Sequence, residues 1–308
     1  MNAVSILSTL EFGVVFGMLA LSMYSALSTG LLSMASIMFA GCGAFLFAQL
    51  TDGLGWPPVL VLLCAAAIGG VAAIVLSALL LHLESHYIAM ATIAIVLMTR
   101  VAVLNLPAVT GGVNGTPILT ELSPLYIAGA LLVAVWVFAR LRRSRYGLAS
   151  ELAREDTTVA STLGVNIRWL RTVSFIISGC VGGLVGALLA SLYGYIDADT
   201  FSMDLAFTAL AAVVLGGAFH WLGPLIGGVV FTILPELLRG WFERADQLVD
   251  GVILVVIMIF LPRGLVDPLR WKQLVRRLRG RGEPGDGMPA GPAAAEPAGR
   301  TATEAIGS

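Results

Sequence analysis

The sequence runs to 308 residues, of which 58% are apolar and only 12% charged. A soluble domain carries about 25% charged residues, so this chain has too little polar surface to cover a soluble globule of any class. A mean hydropathy of +0.92 and 35 glycines point instead to an all-α polytopic membrane protein whose helices pack closely.

A bilayer-crossing helix needs roughly 20 apolar residues. Read in chain order, predicted spans fall near 4–27, 31–50, 58–81, 86–105, 124–140, 173–194, 205–221, 224–241 and 247–262, nine in all. Met1 to Thr9 lacks a basic stretch of the kind that opens a secretory signal, so the first span is expected to stay as an anchor. Cys42, Cys64 and Cys180 each sit inside apolar stretches without metal-ligand spacing and read as small buried hydrophobes. His82 and His86, at i and i+4, lie at a short turn with no third ligand near.

The net charge of −1 conceals a strong asymmetry. No Lys or Arg precedes Arg100. Seven Arg fall between Arg140 and Arg171, and seven Lys or Arg between Arg263 and Arg281. Basic loops face the cytoplasm. Four predicted spans separate the two basic segments, which returns the chain to the same side, and counting backwards puts the 106–123 loop and the N-terminus outside. Arg100, deep in the fourth span, has two readings. It lines a path or pairs with an acid from another span, or it snorkels to the outer interface ahead of Asn105 and Pro107.

The segment from Arg140 to Arg171 is long for a membrane protein with otherwise short connections. Arg142, Arg143 and Arg145 lead into Tyr146-Gly147-Leu148 and a predicted helix from Ala149 to Leu163, with Gly164 as its C-cap. Leu152, Val159 and Leu163 recur near helical spacing, while Glu151, Arg154, Glu155 and Asp156 supply charge. A short helix along the membrane face suits docking of another protein. Glycines in Gly179-x-x-x-Gly183, Gly182-x-x-x-Gly186 and Gly223-x-x-x-Gly227 sit one turn apart and are expected to let helices approach. The spans near 205 and 224 form a tight hairpin or a broken helix.

Domain organisation follows from composition: a membrane domain over 1–268, with its long loop at about 140–172, a basic amphipathic segment over 269–281, and a Gly/Pro/Ala-rich tail over 282–308 expected to be disordered. The lone lysine, Lys272, is followed by Gln273, so the chain has no phosphate-cradling P-loop. Ionisable residues inside spans are few (Glu11, Arg100, Glu236 and Asp204 near a span start), and no nucleophile elbow is present. The chain reads as a transport component with no catalytic residues and no metal or cofactor of its own.

An ordered set of motifs sharpens this. Tyr146-Gly147, Ala153-Arg154-Glu155-Asp156, Ala160 and Leu163-Gly164-Val165-Asn166, leading into Ser174-Phe175, resemble the permeases of branched-chain amino acid ABC importers, in particular the LivM-type subunit. Thr110-Gly111-Gly112-Val113-Asn114-Gly115 is similar to that family's outer loop. Gly179 to Leu188, Gly216-Gly217 with Gly223-Pro224 and Gly227, and Pro262-Arg263-Gly264-Leu265 resemble its later segments. The resemblance implies an importer permease in the bacterial inner membrane with its C-terminus in the cytoplasm. It implies pairing with a second related permease, two cytoplasmic ATPases that bind ATP and Mg, and an extracytoplasmic solute-binding protein.

Carried over, Arg154, Glu155, Asp156, Ala160 and Gly164 would form an ATPase-coupling helix, and Thr110, Gly111, Gly112, Asn114 and Gly115 an outer loop, with Arg100 near the path. Leu97 and Phe219 depart from the family pattern. The alternative is an autonomous secondary transporter or channel for a small solute.

Overall fold

The computed structural model describes residues 3–83, 85–217 and 220–238. The predicted span at 247–262, Phe219, the Pro262–Leu265 motif, the basic segment and the tail lie outside them, as does the side chain of Glu236. Eleven helices are present among the described residues: α1 (Ala3–Leu27), α2 (Ser36–Ala48), α3 (Pro58–Leu80), α4 (Ser85–Asn105), α5 (Pro107–Thr110), α6 (Pro124–Arg142), α7 (Arg145–Glu155), α8 (Thr157–Thr162), α9 (Ile167–Tyr193), α10 (Met203–Gly216) and α11 (Leu222–Leu238). Two short strands, β1 (Thr116–Pro117) and β2 (Tyr195–Ile196), pair antiparallel with Thr116 opposite Ile196.

Five helices (α1, α3, α4, α6 and α9) are long and apolar enough to cross a bilayer, and α10 and α11 are shorter apolar helices. The chain is a multi-pass helical membrane protein. The first eight of the nine predicted spans each contain one helix, but the count of nine is not reached among the described residues. The second is shorter than predicted, since α2 runs for 13 residues and continues as a π-turn over Gln49–Gly53. The sixth starts earlier, at Ile167. The fifth and sixth predicted spans therefore take in Arg140, Arg142, Arg168 and Arg171 at their ends, and the long loop shrinks to 143–166.

Helix α9 is the axis of the bundle. It packs against α1, α2 and α3, while α11 packs against α1 and α10. Its most apolar stretch is 72% buried, against 22% for α4 and 17% for α6, so those two helices lie at the periphery. Apolar side chains all round an axis are what a central helix in such a bundle requires. Phe39, Phe47, Phe175 and Phe201 fill the core with almost no exposure.

Small residues set the spacing. A Cβ on Gly186 would collide with the Ala40 carbonyl oxygen of α2, and one on Gly183 with the Ala65 oxygen of α3. A Cβ on Gly179 would collide with the Gly69 oxygen. Consecutive small-residue rows of α9 thus face two different neighbours. Serines add polar ties across the seam: Ser22 Oγ donates to the Ser178 carbonyl at 2.7 Å and Ser25 Oγ to the Ser174 carbonyl at 3.0 Å. Such bonds between membrane helices contribute about 0.6 kcal/mol each.

Candidate functional site

The bundle has two unlike ends. At one end the chain leaves α6 through Arg142, turns, and forms α7 and α8 before entering α9. Gly147 permits this turn, because a Cβ there would strike the Arg142 carbonyl oxygen. The predicted single helix from Ala149 to Leu163 is in fact two, broken at Asp156, whose backbone is extended (φ −151°, ψ 112°). Asp is a poor helix-interior residue and a strong N-cap. Its carboxylate accepts from the Thr158 and Val159 amides at 2.7 and 3.1 Å, and those bonds hold it below the usual aspartate pKa.

Helix α8 closes at Gly164, with φ +84°. The Val165 amide reaches back to the Ala160 carbonyl at 3.1 Å and the Gly164 amide to Ser161 at 3.0 Å, the two bonds of a Schellman motif.

The faces of this helix pair divide sharply. Ala153, Ala160 and Leu170 are buried together, with Tyr146 and Val165 against them. The Tyr146 hydroxyl and Ser174 Oγ are 2.6 Å apart, which ties α7 to α9. Gly30, at the end of α1, lies against Ala153 and Arg154. Glu155, Asp156 and Gly164 are exposed. So are Leu148, Leu152, Val159 and Leu163, at 66%, 41%, 51% and 67%. These apolar side chains point away from the chain's own core and leave apolar surface uncovered on the helix pair. Of the five residues of the predicted coupling set, Ala160 therefore faces the protein's own core, and Arg154 is half-buried beside Gly30.

All eight Lys and Arg residues among the described residues except Arg100 lie at this end. Beside them, the turn between α10 and α11 presents His220 and Trp221. The Leu222 amide donates to His220 Nδ1 at 3.2 Å. Burial, and after it the Arg142 charge, holds this imidazole below its ordinary pKa.

Between α10 and α11, a Cβ on Gly216 would meet the Gly223 oxygen, one on Gly223 the Gly217 oxygen, and one on Gly227 the Ala212 oxygen. Gly217 takes φ +92° as the α10 cap. Pro224 falls in the first turn of α11, where its missing N–H costs nothing. The predicted hairpin is a tight helix–turn–helix.

At the opposite end, Thr110 to Gly115 fold into a compact turn. Thr110 Oγ1 donates within reach of the Val103 carbonyl at 2.6 Å and accepts from the Gly112 amide at 3.3 Å. Gly111, Gly112 and Gly115 all take positive φ, and the Tyr195 hydroxyl donates to the Asn114 carbonyl at 2.8 Å. Asp52, in the π-turn, accepts from the Leu119 amide and the Thr120 hydroxyl.

Arg100 Nη2 lies 2.7 Å from Asp199 Oδ1, with the side chains 51% and 68% exposed. The acid comes from the loop before α10 rather than from another span, so the pair sits at the rim of the bundle. Leu97, one turn earlier, is exposed.

A family model described as the branched-chain amino acid transport system / permease component matches residues 5–261. The chain belongs to this permease family. It is 29% identical over 295 residues to the high-affinity branched-chain amino acid transport system permease protein LivM of Escherichia coli K12, spanning 83% of this chain and 68% of that one. Against the probable branched-chain amino acid transport permease protein LivH of Methanocaldococcus jannaschii, identity is 26% over 157 residues, 48% of this chain and 49% of the relative. Against the probable ABC transporter permease protein YphD of Escherichia coli K12 it is 31% over 137 residues, 42% and 41% of the two chains. No solved structure matches.

Three features of the permease escaped the sequence reading. Asp199 is fixed by Asp197, whose Oδ1 accepts from the Asp199 and Thr200 amides at 3.1 and 2.8 Å, an Asx turn legible as Asp-Ala-Asp-Thr. The serine ties were legible as Ser22/Ser25 and Ser174/Ser178 at helical spacing. Trp221 beside Arg142 carries no local signal. His82 and His86 flank a short turn, as expected: α3 ends at Leu80 and α4 begins at Ser85, so His82 lies in the turn and His86 in the first turn of α4.

Proposed function

We propose that this permease is the transmembrane subunit of an ATP-binding cassette importer that carries a small polar solute, a branched-chain or related amino acid, inward across the bacterial cytoplasmic membrane. The observation that carries the reading is the exposed apolar row Leu148, Leu152, Val159 and Leu163 on a capped helix pair at the basic end. By the positive-inside tendency that end is cytoplasmic, where two ATPase subunits holding ATP and Mg would receive the row, with Glu155, Asp156 and Gly164 at its edge. Closure of the ATPases moves crossing helices only through a rigid contact. Tyr146 bonded to Ser174, and Gly30 seated against Ala153, supply such a connection to α9 and α1.

The opposite face, with the Thr110–Gly115 turn and the Arg100–Asp199 pair, receives the solute-binding protein, and a second related permease completes the membrane pathway. The names of the relatives favour a branched-chain amino acid as solute. The test is affinity purification of the tagged permease from its native membranes in mild detergent, followed by protein identification. Two P-loop ATPases and a second permease are the expected result. Recovery of the folded chain alone would refute it and make gradient-driven uptake into liposomes the next experiment.

A further inference from the structure

Arg171, in the second turn of α9, is a cation of the basic end that ATPase docking does not use. Its side chain is half-buried against the turn between α3 and α4, where Nη2 donates to Ser85 Oγ at 3.1 Å. Its Nε is shut off from water and has no partner. No carboxylate among the described residues lies within ion-pair reach of it. A guanidinium drawn partly out of water with no acid beside it is unfavourable, and an anion at its open edge offsets that.

The surroundings say which anion. Arg168, one turn earlier on the same stripe of α9, is exposed. The Ser85 hydroxyl accepts from Arg171 and keeps its own proton to donate. In the two segments that meet here, 81–87 and 166–172, Arg168 and Arg171 outnumber the single acid, Glu84. Planar guanidinium forks match the oxygens of a phosphate. Trp169 beside them is 60% exposed and Tyr87 is exposed too, and such rings settle at the depth of lipid head groups. From this point a half-exposed, mostly apolar seam runs towards the middle of the bundle. On α9, Thr172, Ile176 and Cys180 recur one turn apart and stay half-buried. On α3, Gly70 lies against Cys180 Sγ, and Ile74, one turn nearer the basic end, is exposed. An acyl chain covers such a seam and removes its apolar area from contact with the head-group region; a free inorganic anion leaves it bare.

We propose that Arg171, with Arg168 and Ser85, holds the phosphate of an anionic phospholipid, one acyl chain of which lies along the seam between α3 and α9. A zwitterionic phospholipid carries the same phosphate, but its cationic end meets the two arginines with like charge. The site is distinct from the exposed row on α7 and α8 and does not depend on the importer function. A lipid held there fastens the α3–α4 turn to the start of α9, the axis of the bundle.

The test is native mass spectrometry of the purified full-length permease, delipidated in mild detergent and titrated with dioleoyl phosphatidylglycerol, dioleoyl phosphatidylcholine or inorganic phosphate. Phosphatidylglycerol is retained about fivefold more tightly than phosphatidylcholine, or better, and excess inorganic phosphate does not displace it. Arg171→Gln weakens phosphatidylglycerol by about fivefold or more, and Arg171→Lys, which keeps the charge without the fork, restores part of the loss. Arg140→Gln combined with Arg143→Gln removes two exposed charges from the same end, away from Ser85, and leaves retention unchanged. The lipid series uses the unaltered protein, so it stands even if a variant fails to fold. Equal retention of the two lipids, or retention indifferent to Arg171→Gln, would overturn the proposal. So would an equal loss in the Arg140 and Arg143 double variant, which marks a general attraction to the basic face, or displacement by inorganic phosphate, which marks a free-anion site.

Discussion

Replacing Gly186 by Ala adds a single methyl group at the centre of the bundle, and the position of that methyl makes its cost calculable. It would lie well inside van der Waals contact with the Ala40 carbonyl oxygen, and the carbonyl carbon and Cα of Ala40 stand close behind it. All three are backbone atoms, so no side chain can swing away and α2 must recede from α9 by roughly 1 Å. A gap of 0.5–1 Å forfeits about a quarter to a half of each contact's dispersion energy. The loss spreads along the seam, because one turn away Gly43 of α2 is pressed against Gly183 of α9. Overpacking costs about 1–3 kcal/mol, and this site belongs at the upper end.

Gly129 on α6 is the control: a Cβ there meets nothing within 4 Å, and Gly→Ala in a helix gains up to about 1 kcal/mol from propensity. Thermal unfolding of the detergent-solubilised permease, followed by loss of the monodisperse size-exclusion peak, should show Gly186→Ala melting well below wild type. Gly129→Ala should melt at or above it. If Gly186→Ala melts within about one degree of wild type, or if the two variants are equally damaged, the seam does not hold the fold as argued.

Gly164→Trp forces a bulky L-residue into φ +84°, costing about 1–2 kcal/mol of backbone strain; the Schellman closure loosens, and solute uptake in cells is expected to fall while membrane abundance holds. Charge reversal of Glu155 and Asp156 should do the same, and unaltered uptake would remove these residues from coupling. The Asp156 carboxylate has a folded pKa below its unfolded value, so its capping of α8 is fully present above about pH 4 and is lost as pH falls through the folded value. Amide protection of Thr158 and Val159, measured by hydrogen exchange from neutral into acid, should therefore drop in wild type. It should stay flat with pH in Asp156→Asn, which keeps an uncharged cap. Arg100→Ala should reduce transport more than it reduces abundance, since the exposed pair with Asp199 adds little to stability; equal losses would make Arg100 structural only.

Composition and spacing revealed what the lipid and the backbone impose locally. Apolar runs longer than a bilayer is thick marked the crossing helices, the uneven distribution of Arg marked one face, and Gly164 announced a helix end because only glycine accepts that backbone without strain. The glycine spacings on α9 told that small residues would meet a neighbour, but not that Gly179 meets α3, Gly186 meets α2 and Gly183 sits between the two. Asp156 shows a local rule read wrongly: charge and spacing suggested one helix, and the capping preference of a short carboxylate broke it in two.

Tertiary structure alone decided the rest. Which acid Arg100 meets, which side of α7–α8 stays exposed, and the bringing of Trp221 beside Arg142 and Tyr24 join residues far apart along the chain. Nothing in a residue's own neighbourhood encodes the partner across such a gap. The partner is chosen when several helices bury their surfaces together, and in a membrane that choice turns on close packing and satisfied polar groups, because the lipid is as apolar as the helices themselves.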